Sequence, residues 1–169
     1  MTSSQAAPPR RIGRVFDPGL AFRDDRLQRA CAHWQAAAHV SPSGLPDRAS
    51  FGLETLHALG ALSRAMLIDV VDGGARFRFR LIGTALTAIA ERDATGRFLD
   101  ELYPPEVYTK FKASLDWVMR ERRPVRAVDT FEFSGKEFIG YEALVAPLAA
   151  GGADVAVVLV VAIDFAPPR

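Results

Sequence analysis

Val155-Ala156-Val157-Val158-Leu159-Val160-Val161-Ala162-Ile163 is apolar at every position. A β-strand sends successive side chains to opposite faces of its sheet, so a strand of this composition has no face that can meet water. It must be covered on both sides, which places it in the middle of a sheet. As a helix the same run is far too short to cross a bilayer.

Towards the N-terminus, residues 138–148 and 124–133 read as two further strands, separated by the turns Ala149-Ala150-Gly151-Gly152 and Ser134-Gly135-Lys136. Ahead of them the pattern turns helical. Pro104-Pro105 opens the longest helix, which runs to residue 122 and buries Val107, Phe111, Leu115, Val118 and Met119 along one stripe. Residues 85–91 form a short helix, Asp93-Ala94-Thr95-Gly96 a loop, and residues 99–103 another helical turn. Before these, Arg76-Phe77-Arg78-Phe79-Arg80-Leu81 alternates strictly, with Phe77, Phe79 and Leu81 on one face and three arginines on the other. The turn Asp72-Gly73-Gly74 pairs it with the β-rich run Met66-Leu67-Ile68-Asp69-Val70-Val71 as a hairpin.

A helical cap leads in. Over residues 24–38, Leu27, Ala30, Cys31, Trp34 and Ala38 recur at helical spacing, with Asp24 and Asp25 at the end where carboxylates satisfy free amides. Ser41-Pro42-Ser43-Gly44-Leu45-Pro46 stops this helix, and a second, short one follows over residues 53–62. Residues 1–23, rich in Ser, Ala, Pro and Arg near their start, read as a flexible tail. Arg10-Arg11 lacks the apolar stretch that a twin-arginine export signal requires after it.

The 169 residues are one domain's worth, and 21 basic against 20 acidic side chains leave no field to attract nucleic acid or an anionic membrane. The arginine face of residues 76–80 therefore reads as a solvated sheet face or as a rim paired with nearby acids. Cys31 is the only cysteine, which excludes an internal disulfide and a cysteine-rich metal site and suits a reducing cytoplasm.

Four segments carry a resemblance. Phe79-Arg80-Leu81-Ile82-Gly83-Thr84-Ala85-Leu86 resembles the "YRLVGT" signature of a PAS-type family common in alphaproteobacteria. Thr95-Gly96-Arg97-Phe98-Leu99-Asp100-Glu101-Leu102, followed by Pro104-Pro105, is similar to that family's "TGR-L-E-L-P" segment. Leu45-Pro46-Asp47-Arg48-Ala49-Ser50-Phe51 resembles its "LPxRxDF" entry, with serine at the usual aspartate, and Tyr141-Glu142-Ala143-Leu144-Val145-Ala146-Pro147-Leu148 its "YERLLLPL" strand. The resemblance as a whole covers residues 26–164. The resemblance implies an α+β PAS fold: a five-stranded antiparallel sheet with a central last strand, short helices on one face and an extra N-terminal helix. The domain plan is then a tail over 1–23, a helical cap over 24–62, the PAS core over 63–165 and a C-terminal tail over 166–169.

In such a fold a ligand sits between helices and sheet, where Phe79, Leu81, Leu86, Phe98, Phe111, Leu115, Phe131 and Leu144 are the expected lining. The competing reading is a chamber filled by those same side chains. Gly83 is expected to allow the change from strand to helix, Thr84 to cap that helix, and Gly96 to allow a bend. A covalent flavin needs a reactive cysteine after the second strand, and there is none. His33, His39 and His57 all precede the first core strand, which disfavours haem. No cofactor is expected.

Asp129, Glu132 and Glu142, with Tyr141 beside them, are the carboxylates an enzyme of this size could use as a general base. Glu142 alternates with Leu144 and so could face inward. The alternative is a cross-strand pair with an arginine such as Arg80 or Arg126. The resemblance implies instead a non-enzymatic sensory or adaptor protein of bacterial signal transduction, cytoplasmic, binding a protein signalling partner and a second copy of itself. Ala162-Ile163-Asp164 resembles the junction that leads to an effector in such proteins. With only Phe165-Ala166-Pro167-Pro168-Arg169 after it, output is expected to pass through the partner. A small apolar or amphipathic ligand is the regulator such a fold would take. A small-ligand carrier, or an isomerase or hydrolase with a buried carboxylate, are the rival readings. Leu27, Cys31 and Trp34 are the expected interface; otherwise their stripe covers the sheet.

Overall fold

The computed structural model describes residues 14–131 and 136–165. The readings of residues 1–13, Glu132, Ser134-Gly135 and residues 166–169 lie outside the described residues. Six strands form one antiparallel sheet: β1 (Val15–Asp17), β2 (Ala65–Val71), β3 (Arg76–Ile82), β4 (Val125–Phe131), β5 (Lys136–Leu148) and β6 (Val157–Phe165), in the order β1-β4-β5-β6-β2-β3. The all-apolar strand β6 lies between β5 and β2, and every side chain from Val157 to Ile163 is buried.

Both faces of the sheet are covered. Helices α3 (Thr84–Ala90), α4 (Leu99–Leu102) and α5 (Pro105–Glu121) lie on one side, called here the inner face. Helix α1 (Asp25–Val40) lies across β5 on the other, outer face, followed by α2 (Leu53–Ala58). Asp24 caps α1 through a side-chain bond from the Arg26 amide, 2.9 Å long, as its position before the apolar stripe predicts. Pro104 and Pro105 take the N-cap and first position of α5. Helix α2 ends at Ala58, short of residue 62: Gly60 enters the left-handed region at φ 69° and a 3-10 turn over Leu62–Arg64 leads into β2.

The sixth strand corrects the reading of residues 15–17 as tail. Val15, Phe16 and Asp17 pair with Val128, Ala127 and Arg126 on the edge of β4. Three residues are too few to show a period of two, so the strand was silent in the sequence. It is anchored from both ends. Arg14 Nη2 donates 2.6 Å to the Lys110 carbonyl of α5, and the Phe16 ring meets Trp117 edge-on at 5.3 Å. The Asp17 carboxylate accepts from the amides of Gly19 and Ala21 at 2.8 and 3.0 Å, holding the turn that follows.

A bulge in the hairpin overturns one face assignment. Val70 faces Phe77 and Ile68 faces Phe79, but Leu67 faces Leu81, so Arg80 is an extra residue on β3. Beyond it the parity reverses: Leu81 turns to the outer face and Ile82, paired with Met66, takes the inner one. The bulge also lets Arg78 and Arg80 reach the same carboxylate, Asp69, at 3.1 and 2.6 Å.

Gly83 is the N-cap of α3, and Thr84 is its first residue rather than its cap. Gly83 adopts φ −64° and ψ 150°, which any residue can hold, so bending is not what selects glycine there. A Cβ at this position would lie 2.3 Å from the Ser63 carbonyl oxygen and 2.7 Å from that of Leu62. Glycine is needed for close approach of two backbones. Gly96, at φ 82° with open space around it, is the conformational case. Gly83→Ala is therefore expected to destabilise the fold by about 1–3 kcal/mol, the range for overpacking. A lowered urea midpoint at unchanged slope would show it; a midpoint equal to wild type would remove this constraint.

Candidate functional site

The space between helices and sheet is nearly full. Phe79, Leu86 and Phe131 from the expected lining meet Met66, Ile82, Ala94 and Tyr103 around a cavity of about 30 Å³. That is room for about one or two water molecules. The Tyr103 ring stands edge-on to Phe79 at 6.4 Å and to Phe111 at 6.3 Å, so three aromatic rings run in series across the chamber. Burial pushes the Tyr103 phenol up to about 12, against the guanidinium of Arg92 over its ring at 5.6 Å. Tyr103 was missed in the sequence because it sits between a short helix and two prolines, where no periodicity reports its direction.

Five of the eight expected lining residues do not border this cavity. Leu81 is on the outer face for the reason given above. Leu144 shares the parity of Glu142 and pairs in register with Arg126 and Val161, which also places it on the outer face. Phe98 lies outside the chamber: residues 96–98 add on to the free edge of β3, through Gly96 N to Phe79 O at 2.7 Å and Phe79 N to Arg97 O at 3.0 Å. Its ring is covered by the guanidinium of Arg76 at 3.7 Å, which also binds Asp100 at 2.7 Å. The arginine face of β3 is thus a rim paired with acids. Leu115 is fully buried and borders no cavity, whereas Phe111 lines a second, small space of about 40 Å³ with Arg14, Lys110, Ser114, Asp129 and Tyr141.

The expected interface is internal. Leu27, Cys31 and Trp34 are buried, and Trp34 Nε1 donates 2.8 Å to the Pro147 carbonyl of β5. The stripe covers the sheet, because β6 and β5 leave an apolar outer face that needs it. Burial raises the Cys31 thiol to about 11, so it stays neutral and poorly nucleophilic at neutral pH. None of the three histidines lines the inner cavity: His33 Nε2 donates to the Ser50 carbonyl at 2.8 Å, and His57 borders an outer recess beside Leu81.

Glu142 and Arg126 form a buried pair across β4 and β5, 6% and 8% exposed, with Arg126 Nε donating 2.6 Å to Glu142 Oε1. The amides of Arg23 and Asp24 donate to the same carboxylate at 2.9 and 3.1 Å. These bonds tie the start of α1 to the outer face. They also occupy the carboxylate that a general-base mechanism would need free. Beside the pair lies an open cleft of about 330 Å³, lined by Arg23, Asp24, Arg26, Arg126, Val128, Glu142, Ile163, Asp164 and Phe165. Arg23 and Arg126 gave no functional signal in the sequence, since only the fold brings residues this far apart together.

A family model for the PAS domain matches residues 23–161. The chain belongs to the PAS domain family. The match runs from just before α1 into β6, so β1 precedes the matched span of this PAS domain. No curated protein matches the chain. Membership makes it a sensory or signalling module, and among the described residues no helix is long and apolar enough to cross a membrane.

Two outcomes test the outer side of this PAS domain. Glu142→Ala is expected to cost about 3–5 kcal/mol by leaving Arg126 buried without its partner, and Glu142→Gln less, since an amide oxygen still accepts from the two backbone amides. Equal urea midpoints for Glu142→Ala and wild type would show the pair to be dispensable. Alkylation of Cys31 is expected to be slow in the native protein and to rise along the same urea curve as unfolding; fast labelling in buffer would place the thiol at an accessible surface. Because its folded value is the higher one, the thiol's contribution to stability is present below pH 9.0 and is lost as the pH rises through about 11.

Proposed function

We propose that this PAS domain is an adaptor of bacterial signal transduction that works through protein–protein contact, not through a resident cofactor or a catalysed reaction. The observation that carries the reading is the inner chamber, packed by Phe79, Leu86, Tyr103 and Phe131 down to about 30 Å³. A haem or flavin is many times larger, and binding either would require α3 and α5 to move off the sheet. The engagement of Glu142 by Arg126 and two amides supports the non-enzymatic part.

With the α1 stripe turned inward, the surface we assign to a partner is the outer edge of β1. It is the end of the sheet, no further strand pairs with it among the described residues, and Val15 and Phe16 are 42% and 37% exposed. A strand edge beside exposed apolar side chains is a template for strand addition, and a second copy of the same edge is the simplest occupant. The reading includes a cytoplasmic setting, which the lone buried thiol supports.

Sedimentation velocity tests it. Wild type is expected to self-associate with rising concentration, and Val15→Lys, which sets a charge on the edge, to shift it towards monomer while changing stability by less than about 0.5 kcal/mol. A monomer at every concentration, or a dimer indifferent to Val15→Lys, would sink the edge as the contact. A haem or flavin absorbance band, or a stoichiometric small molecule released by denaturing the purified protein, would sink the cofactor-free reading.

A further inference from the structure

A ligand-sized space lies on the opposite side of the sheet from the packed chamber, apart from a recess of about 430 Å³ beside His57 and Leu81. The outer cleft holds about 330 Å³ against about 30 Å³ inside. A volume of a few hundred Å³ is that of a small-molecule site. Its floor is apolar: Val128 of β4 and Ile163 and Phe165 of β6, with Phe165 37% exposed to solvent. Its wall is charged, and the charges are unequally spent.

Three acids and three arginines line the cleft. Each acid already has a cation. Asp24 holds Arg26 at 2.9 Å, Glu142 holds Arg126 at 2.6 Å and two backbone amides, and Asp164 pairs with Arg64, which comes from outside the lining. The cations are not matched in return. The Arg23 guanidinium has no acidic partner among the described residues, its amide alone being used on Glu142. Arg126 spends Nε on Glu142 and stands 3.7 Å from Asp17 through Nη1, with no acceptor for Nη2 among the described residues. Counting Arg64 and Asp17, four cations face four acids; Arg126 shares two of the acids, and Arg23 is the cation left with none among the described residues. Buried Arg126 and exposed Arg23 beside apolar surface suit a planar anion that paired N–H donors can hold.

We propose that this outer cleft is a binding site for a small monocarboxylate with an apolar body, its carboxylate held by Arg23 and Arg126 and its body laid on Val128, Ile163 and Phe165. The cleft joins the start of α1 to the end of β6, so an occupant would hold those two ends of the chain together. The cleft adjoins β1, since Val15 pairs with Val128 and Asp17 reaches Arg126, but probe binding and oligomeric state are read by separate measurements, so either can fail without the other.

Phenylacetate is a suitable probe, with its neutral amide phenylacetamide as the control. Titrated into isotope-labelled full chain and followed by amide resonances, phenylacetate is expected to give saturating shifts at Val128, Ile163 and Phe165. Phenylacetamide and the Arg23→Ala variant are each expected to weaken binding about tenfold, the size of losing one charge-assisted contact. Arg23 is exposed, so the variant's fold should be intact, and its unshifted resonances in the free protein will report that. Phe165→Ala, which removes floor and leaves the arginines, is expected to weaken the acid and the amide alike. Three results overturn the proposal: no saturation by about 10 mM, beyond which affinity carries no specificity; equal binding of acid and amide; or shifts centred on Phe79, Leu86 and Phe131, which would put the probe in the inner chamber.

Discussion

From Val157 to Ile163 strand β6 has no side chain that water would welcome, and a run of seven such residues cannot exist without a neighbour on each edge and a layer on each face. The layers are of different kinds. On the inner face α3, α4 and α5 are the helical layer of the PAS fold; on the outer face α1 is fixed by Trp34 to the Pro147 carbonyl and by Glu142 to the chain entering the helix. The N-terminal helix is thus not an appendage to a finished core. Without it Leu144, Leu159 and Val161 would face solvent, since their register puts them all on the outer side.

How far the sequence could be read follows from how local each signal is. The position of β6, the cap at Asp24, the stripe of α1 and the prolines that open α5 each depend on residues a few places apart, and each was legible. The faces of Leu81 and Leu144 were not. Leu81 was lost to a bulge, which shifts parity without leaving a mark in the alternation of Arg76 to Leu81. Leu144 shares the face of Glu142 as its spacing says, but nothing in β5 tells which layer lies on that side. Phe98 was assigned to the chamber by its neighbours in a motif, whereas its backbone extends the edge of β3 and its ring serves Arg76. The pairing of Glu142 with Arg126 stood among the sequence alternatives; the cleft beside it did not, because its walls come from three distant parts of the chain.

The two sides of the sheet divide the polar groups unevenly. The inner chamber is aromatic and nearly solid, with Tyr103 and Arg92 the titratable groups that border it. The outer side carries the more buried ion pairs, Glu142 with Arg126 and Asp69 with Arg78 and Arg80, whereas Arg14 with Asp129 and Lys112 with Asp116 lie at the α5 side. Packed aromatic rings resist small displacements, whereas charged groups at a cleft mouth can trade protein partners for solvent or ligand partners at little cost in packing. Small changes of state are therefore cheaper on the outer side.

The central place of β6 has a consequence for the order in which the protein can be made. Among the described strands it comes after all the others along the chain, and it alone joins β4–β5 to β2–β3. Until it leaves the ribosome, the two halves of the sheet have no hydrogen-bonded connection, and β5 and β2 each hold an open edge flanked by apolar side chains. Those contacts close a loop of most of the domain's length, which makes their formation slow. During synthesis the nascent chain must carry two unfinished edges for as long as the strand that unites them is still untranslated.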